Sequence, residues 1–181
     1  MRHAALLFFI AGCATGGGST ATRVITDQAV VQGELAAVGV EMMRRHEAVT
    51  DEVSLPRDTV LQLLPGVLGD LQFVIEGSDQ KAGTLTTRSS RFRGSLGGAR
   101  LSTYFSCGES AMGRTADRYS VIVKVTMEVQ PVGDHQSRLS TVAAGSARHD
   151  DNGGTAVICQ STGALERRIR TSLMAASLRS P

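Results

Sequence analysis

The chain has 181 residues, of which 41% are hydrophobic and 20% are charged, and its formal net charge is +2. This length and composition favour one globular domain and argue against wholesale disorder. A net charge of +2 is too small to predict nucleic-acid binding from charge alone, so we do not expect a nucleic-acid partner.

The first twelve residues have the composition of an export signal. Arg2 and His3 are followed by the apolar run Ala4–Ile10 and by the small pair Ala11–Gly12. The apolar run is far shorter than the roughly 20 residues that a membrane-spanning helix needs, so we do not expect a permanent transmembrane helix. We predict a signal peptide at residues 1–12.

Cys13 is predicted to carry a lipid. The preceding residues resemble the lipobox of bacterial lipoproteins, in which a cysteine thiolate takes up diacylglycerol as a thioether. Two or more lipid chains on one residue give stable membrane anchoring. Residues 14–22 are rich in Gly, Ser and Thr, which is typical of a flexible tether. An Asp directly after the lipidated cysteine resembles a signal for retention in the inner membrane, but this position is Ala14. We therefore expect the protein to be anchored at the periplasmic face of the outer membrane.

Residues 23–178 are predicted to form a single α+β domain. Three short strands are expected near its start, at Arg23–Thr26, Val38–Met43 and Ala48–Val53. Apolar residues at spacings of three and four then predict a helix over Pro56–Leu71. Pro65 lacks a backbone donor, so it predicts a kink or a break into two short helices.

The next segments are expected to be extended. A strand at Phe73–Ile75, a turn at Glu76–Asp79 and a strand at Gly83–Ser89 are predicted from turn-forming residues. The clearest strand is Tyr119–Val129, where apolar and polar residues alternate. One face of this strand should therefore be core and the other mostly solvated.

Three consecutive strands predict an antiparallel meander. A turn at Gly133–His135 joins Tyr119–Val129 to a second long strand at Ser137–Arg148. A turn at His149–Gly154 then leads to a strand at Thr155–Gln160, which carries Cys159.

A final helix is expected after Ser161 or Thr162, either of which can cap it. Its apolar stripe consists of Leu165, Ile169, Leu173 and Ala176. Glu166 and Arg170 are predicted to support it as a pair four residues apart. The two helices, one before and one after the meander, should cover one face of the sheet.

Cys107 and Cys159 remain as an even pair once Cys13 carries a lipid. Outside the cytosol such pairs persist as disulfides, and we predict that these two are bonded. A closed loop of about 50 residues would contribute on the order of 4 kcal/mol in the chain-entropy model. The alternative is two unpaired buried thiols. Neither cysteine has a second Cys or a His at a ligand-like spacing, so we predict no metal or cofactor.

Three motifs resemble those of a recurring family of small uncharacterised bacterial lipoproteins. They are the run Arg100–Gly108, the entry Ala116–Tyr119 into the long strand, and the segment Cys159–Glu166, which begins with Cys-Gln-Ser-Thr-Gly. The resemblance covers about residues 50–175 and implies that the two cysteines occupy matching positions. It implies no activity. The order helix, meander, helix is also similar to the domains of BamC-type lipoproteins, at the level of architecture only.

We find no catalytic motif and assign no catalytic residue. Neither GxSxG, HExxH nor the P-loop pattern occurs. The histidines that remain after processing are His46, His135 and His149, and the last two fall in predicted turns. The sequence therefore does not predict an enzyme.

Arginines between residues 88 and 100 form the best candidate for contact with an anion or a partner. They are Arg88, Arg91, Arg93 and Arg100, and they lie among serines and glycines. On a mobile loop their guanidinium groups could clamp phosphates or carboxylates of an envelope polymer or an acidic protein surface. The alternative is a solvated loop whose arginines flank a strand.

Together these observations predict an envelope lipoprotein that acts as a non-catalytic binding or assembly module. Its expected contacts are the membrane, through the lipid, and an envelope protein or polymer. The alternative is a lipid- or glycan-binding protein, which predicts an apolar cleft between the helices and the sheet. An enzyme would need polar groups that gather only in the folded chain.

Overall fold

A computed structural model describes residues 24–25, 46–110, 113–148 and 156–179. The predicted signal peptide, Cys13 and the tether lie outside these residues, as do the strand predicted at Val38–Met43 and the turn predicted at His149–Gly154. Within the described residues the fold is α+β with a large antiparallel sheet, as the sequence predicts.

The helices and strands are numbered in chain order. The helices are α1 (Arg57–Asp70), α2 (Leu101–Tyr104), α3 (Thr115–Arg118) and α4 (Ala164–Ser177). The first strands are β1 (Val24–Ile25), β2 (His46–Glu47), β3 (Val49–Val53), β4 (Ile75–Asp79), β5 (Thr84–Thr87), β6 (Ser90–Arg93), β7 (Ser95–Leu96) and β8 (Ala99–Arg100). The later strands are β9 (Phe105–Ser106), β10 (Glu109–Ser110), β11 (Gly113–Arg114), β12 (Ser120–Gly133), β13 (Gln136–Arg148) and β14 (Val157–Ser161).

The hairpin of β12 and β13 is the centre of the main sheet. Its two strands pair antiparallel from Ser120 opposite Arg148 to Gly133 opposite Gln136. The other edge of β12 is shared by β5 and β6, and the other edge of β13 is shared by β3 and β14. The predicted meander is therefore confirmed, and β4 and β9 extend the sheet on either side.

Alternation along the hairpin divides the sheet into two faces. In β12 the core residues are Val121, Val123, Val125, Met127 and Val129, each at most 1% exposed. Of their even-numbered neighbours, Ser120 is buried, and those from Ile122 to Gln130 are half-buried. A strand places successive side chains on opposite faces, so the period of two in the sequence separates a core face from a second face, called here the open face.

Helix α1 packs on the core face through residues spaced three and four apart. Val60, Leu64 and Leu68 are fully buried. Pro65 lies inside one continuous helix, so the predicted break does not occur. The proline is exposed, and the missing hydrogen bond therefore faces water rather than the core.

The predictions for the segment after α1 need correction. Phe73 is buried but lies before the strand, which runs over Ile75–Asp79 and so includes the predicted turn. The turn follows at residues 80–83, where the Asp79 carboxylate accepts hydrogen bonds from the amides of Lys81 and Ala82. The Asp79 side chain thus ends the strand by forming the turn, which lies four residues later in the chain than predicted.

Helix α4 completes the cover of the core face. Leu165, Ile169 and Leu173 are fully buried, as the predicted stripe requires. The residue at the N-cap position is Gly163, with φ 76°, and not Ser161 or Thr162. The Thr162 hydroxyl still accepts a hydrogen bond from the first helical amide, that of Ala164, at 3.3 Å.

Candidate functional site

The structure distributes over several elements the four arginines that the sequence groups together. Arg91 and Arg93 are exposed residues of β6. Arg88 lies between β5 and β6, and its backbone amide donates to the carbonyl of Val74 at 2.8 Å. Arg100 ends β8 and precedes the first turn of α2. The segment is therefore built from short strands and turns and not from the single loop expected, and the predicted contact with an anion or a partner stays a prediction.

A β-bulge decides which face Arg91 and Arg93 occupy. Thr86 of β5 lies opposite Thr126, and Ser90 of β6 lies opposite Val123. An advance of four residues from β5 to β6 therefore matches an advance of only three residues along β12. The extra residue inverts the alternation. Core positions are odd-numbered in β5 but even-numbered in β6, where Phe92 is buried. Arg91 and Arg93 consequently project from the open face.

Thr87 stabilises this bulge from within. Its side chain is fully buried, and its Oγ1 accepts a hydrogen bond of 2.9 Å from the backbone amide of Val125. The hydroxyl oxygen thus replaces a carbonyl acceptor where the strand pairing is interrupted. This hydrogen bond stabilises the bulge and, through it, the orientation of Arg91 and Arg93.

Arg148 extends the basic group across the sheet. Ser120 is paired with Arg93 on one side and with Arg148 on the other, so all three residues share a row and a face. The spacing of strands places Arg93 and Arg148 about 10 Å apart, and Arg91 lies about 7 Å along β6 from Arg93. We call Arg91, Arg93 and Arg148 the arginine group.

Half-buried apolar residues adjoin the arginine group. Ile122 is paired with Arg91 and with Ser146, and Ser146 is paired with Ile158 of β14. Further along the face, Lys124 makes an ion pair of 3.1 Å with Glu76. The open face therefore combines an apolar centre with basic residues at one end.

The disulfide between Cys107 and Cys159 is present on the core side of the sheet. Both cysteines are at most 4% exposed. Cys159 is paired with Gly145, whose missing side chain leaves room for Phe105, because a Cβ there would lie 2.9 Å from the phenyl ring. The bond joins β14 to the segment after β9, and its contribution is structural.

Glu166 is the residue whose role the sequence pattern does not reveal. Helical spacing predicts a surface pair with Arg170, but Glu166 is 1% exposed and its Oε1 accepts a 2.6 Å hydrogen bond from the Ser161 hydroxyl. Arg170 instead lies 3.7 Å from Asp51 of β3. The part-buried contact between Ser161 and Glu166, which are five residues apart, depends on how α4 meets β14.

Burial raises the pKa of Glu166 above its usual value of 4.5. Loss of hydration disfavours the charged form of a carboxyl group. The Ser161 hydrogen bond, the backbone amides of Glu166 and Ala143, and the charge of Arg167 act in the opposite direction and only partly offset this effect. Oε2 accepts no hydrogen bond from the residues that the structure describes.

An open groove of about 360 Å³ lies beside α1 and the β4–β5 turn. It is lined by Asp58, Leu61, Gln62 and Gln80. The sheet-facing side chains of α1 and α4 are buried, so this groove is not the cleft between helices and sheet that a lipid- or glycan-binding protein would need.

The described ranges contain neither a transmembrane helix nor a cluster of metal-ligating side chains. In residues 46–110, 113–148 and 156–179, no helix has both the length and the hydropathy of a transmembrane span. Over the same part of the chain, no three His, Cys, Asp or Glu side chains gather in a way that could hold a metal ion.

Comparison with models of known protein families finds no match, and comparison with curated proteins finds none either. Among solved structures, the chain is similar to a DUF4468 family protein from Bacteroides ovatus, with a TM-score of 0.35 and 11% sequence identity. The match covers 73% of this chain and 80% of that chain. We base no inference on a likeness of this size.

Proposed function

We propose that this chain is an envelope lipoprotein, anchored through Cys13, that acts as a non-catalytic binding module. The open face of the sheet is its proposed binding surface, and the partner is an envelope protein with an acidic surface. The observation that carries this proposal is the arginine group beside the apolar centre of that face.

The chemistry of the face supports a protein partner with carboxylates. Arginine guanidinium groups form bidentate hydrogen bonds with carboxylates, and they are enriched in protein interfaces. Half-buried Ile122 and Ile158 next to them would supply apolar area for burial. The exposed face of a sheet can meet a broad protein surface, whereas small ligands bind in concave sites.

The core side of the sheet has little accessible surface that a ligand could contact. Leu64, Leu68 and Ile169 are fully buried under the helices, so a ligand between helices and sheet would have to displace packed side chains. We therefore do not adopt the alternative of a lipid or glycan cleft. The disulfide between Cys107 and Cys159 supports an oxidising compartment, which agrees with export to the envelope.

The test is photo-crosslinking in the cells that produce the full chain, followed by mass spectrometry of the membrane fraction. A crosslinking residue replaces Ile122 on the open face or, as a matched control, Gln62, an exposed residue of α1. We expect one specific partner from position 122 only. The double charge reversal Arg91→Glu and Arg148→Glu should reduce its capture at least tenfold.

Two further variants sharpen the result. Asp150 and Asp151 follow Arg148 in the sequence, so neutralising both to Asn is expected to strengthen capture of an acidic partner. Cys13→Ser should move the protein out of the membrane fraction. Equal capture from positions 62 and 122, or membrane association that survives Cys13→Ser, would refute the corresponding half of the proposal.

A further inference from the structure

Glu166 lies at a gap in the edge of β13. This strand pairs with β3 through residues 137–141 and with β14 through residues 145–147, so Ala143 falls between the two partners. The first turn of α4 fills the gap: Glu166 is almost fully buried there and interacts with the backbone amide of Ala143. Among the carboxyl groups of the described residues, Glu166 alone is buried.

A short chain of hydrogen bonds links Glu166 to the start of its helix. The amide of Gly163 donates to Ser161 Oγ at 3.1 Å, and the Ser161 hydroxyl donates to Glu166 Oε1 at 2.6 Å. Oε2 has no such partner in the described structure. A negative charge on this carboxyl group is therefore buried with only part of its hydrogen-bonding capacity satisfied, which is costly.

Few charges face the carboxyl group. Arg167, the next residue in α4, is the charged side chain that favours its ionised form. On β3, Asp51 is paired with Arg170, and on α2 the Tyr104 hydroxyl is hydrogen-bonded to Arg168.

The strands beneath the carboxyl group add no charge. The core-facing residues of β13 at this level are Ala143 and Gly145, and the cysteine of β14 is in the disulfide. The short strand β2, which carries His46 and Glu47, also contacts β13. Of the charged side chains, that of Arg167 lowers the pKa of Glu166.

We propose that Glu166 is a proton-operated latch: a proton on Glu166 fastens the first turn of α4 into the gap between β3 and β14, and loss of that proton loosens it. The inference concerns a conformational device and is independent of the proposed binding surface. Its direction follows from burial, because the opened state exposes the carboxyl group to water, where the charged form is favoured.

The dependence on pH has a definite sign. The pKa of Glu166 is raised in the closed state, so the closed state binds the proton more tightly than the opened state does. The stabilisation is fully present below the ordinary pKa of 4.5 and is lost as pH rises through the raised value. Each unit by which the closed-state value is raised corresponds to about a tenfold change in the opening equilibrium.

The test is amide hydrogen exchange of the full chain in detergent between pH 4 and pH 8, corrected for intrinsic exchange rates. We expect the first turn of α4 to open at least several-fold more often at pH 8 than at pH 4. Glu166→Gln should abolish this difference, because it keeps the shape of the protonated carboxyl group without the charge. Glu128→Gln, on the open face, should retain it.

Two results would contradict the proposal that Glu166 acts as a latch. One is a pH-dependent opening of the same size in Glu166→Gln. The other comes from a carbon NMR titration of the unaltered protein, which needs no variant to fold: a Glu166 midpoint at or below 4.5 would show that the closed state does not hold the proton.

Discussion

The core face and the open face of the sheet are made by the same two strands but follow different physical rules. On the core face, side chains of β12 and β13 are closed off by α1 and α4, and even a polar residue there, such as Glu166, has little contact with water. On the open face, no described helix covers the strands, and most side chains are half-buried, although Ser120 and Val142 are buried. Antiparallel sheets tolerate this asymmetry because their backbone hydrogen bonds run between strands and are kept when one face of the sheet is exposed to water.

This difference predicts which substitutions should lower the stability of the protein most. Buried positions lose both transfer free energy and packing when they are truncated. Open-face positions lose only part of the transfer term, and their charges are screened by water. Substitutions on the core face should therefore cost more stability than substitutions on the open face.

Loss of the disulfide is expected to have the largest effect. The double variant Cys107→Ser and Cys159→Ser opens a link across 52 residues on the core side. It should lower the free energy of unfolding by about 4 kcal/mol, because the unfolded chain regains the entropy that the link removes. Equilibrium unfolding in denaturant measures this, and reduction of the unaltered protein serves as a control. A change below about 1 kcal/mol would contradict a stabilising role.

Neighbouring residues of β12 give a matched test of the two faces. Val123 is fully buried and Ile122 is half-buried on the opposite side. Val123→Ala should cost about 2 to 3 kcal/mol, whereas Ile122→Ala should cost about 1 kcal/mol although it removes a larger group.

Denaturant unfolding of both variants under one set of conditions decides this comparison. If Ile122→Ala costs as much as Val123→Ala, the open face is buried in solution and is not a free binding surface.

The smallest effect is expected from the ion pair between Lys124 and Glu76. Both side chains are on the solvated side, with exposures of 28% and 49%. A double-mutant cycle with Lys124→Ala and Glu76→Ala should give a coupling of about 0.5 kcal/mol that falls further in 0.5 M salt. A coupling above about 2 kcal/mol, insensitive to salt, would show that water does not reach this face.

Several elements could be predicted because their signals are local. The alternation in Tyr119–Val129 and the turn at Gly133–His135 predict the central hairpin, and the structure confirms it as β12 and β13. The apolar stripe of Leu165, Ile169, Leu173 and Ala176 likewise predicts α4. The compartment and the even number of cysteines predict the disulfide that the structure contains.

Other features could not be predicted because they depend on residues far apart in the chain. Thr86 and Ser90 are only four residues apart, yet the bulge between them exists because of their pairing with β12. A spacing of four within a helix suggests a Glu166–Arg170 pair, but packing of α4 on the sheet directs Arg170 to Asp51.

The sequence by itself determined the two long helices and the two-faced hairpin, because periodicity acts along neighbouring residues. The even number of cysteines and the expected compartment indicated the pairing of Cys107 with Cys159. Only the tertiary structure decided that Arg91 and Arg93 share a face with Arg148, and that Glu166 is buried. The physical reason is that strand register and helix docking are set by contacts between distant segments, where a shift of one residue exchanges a core position for a solvated one.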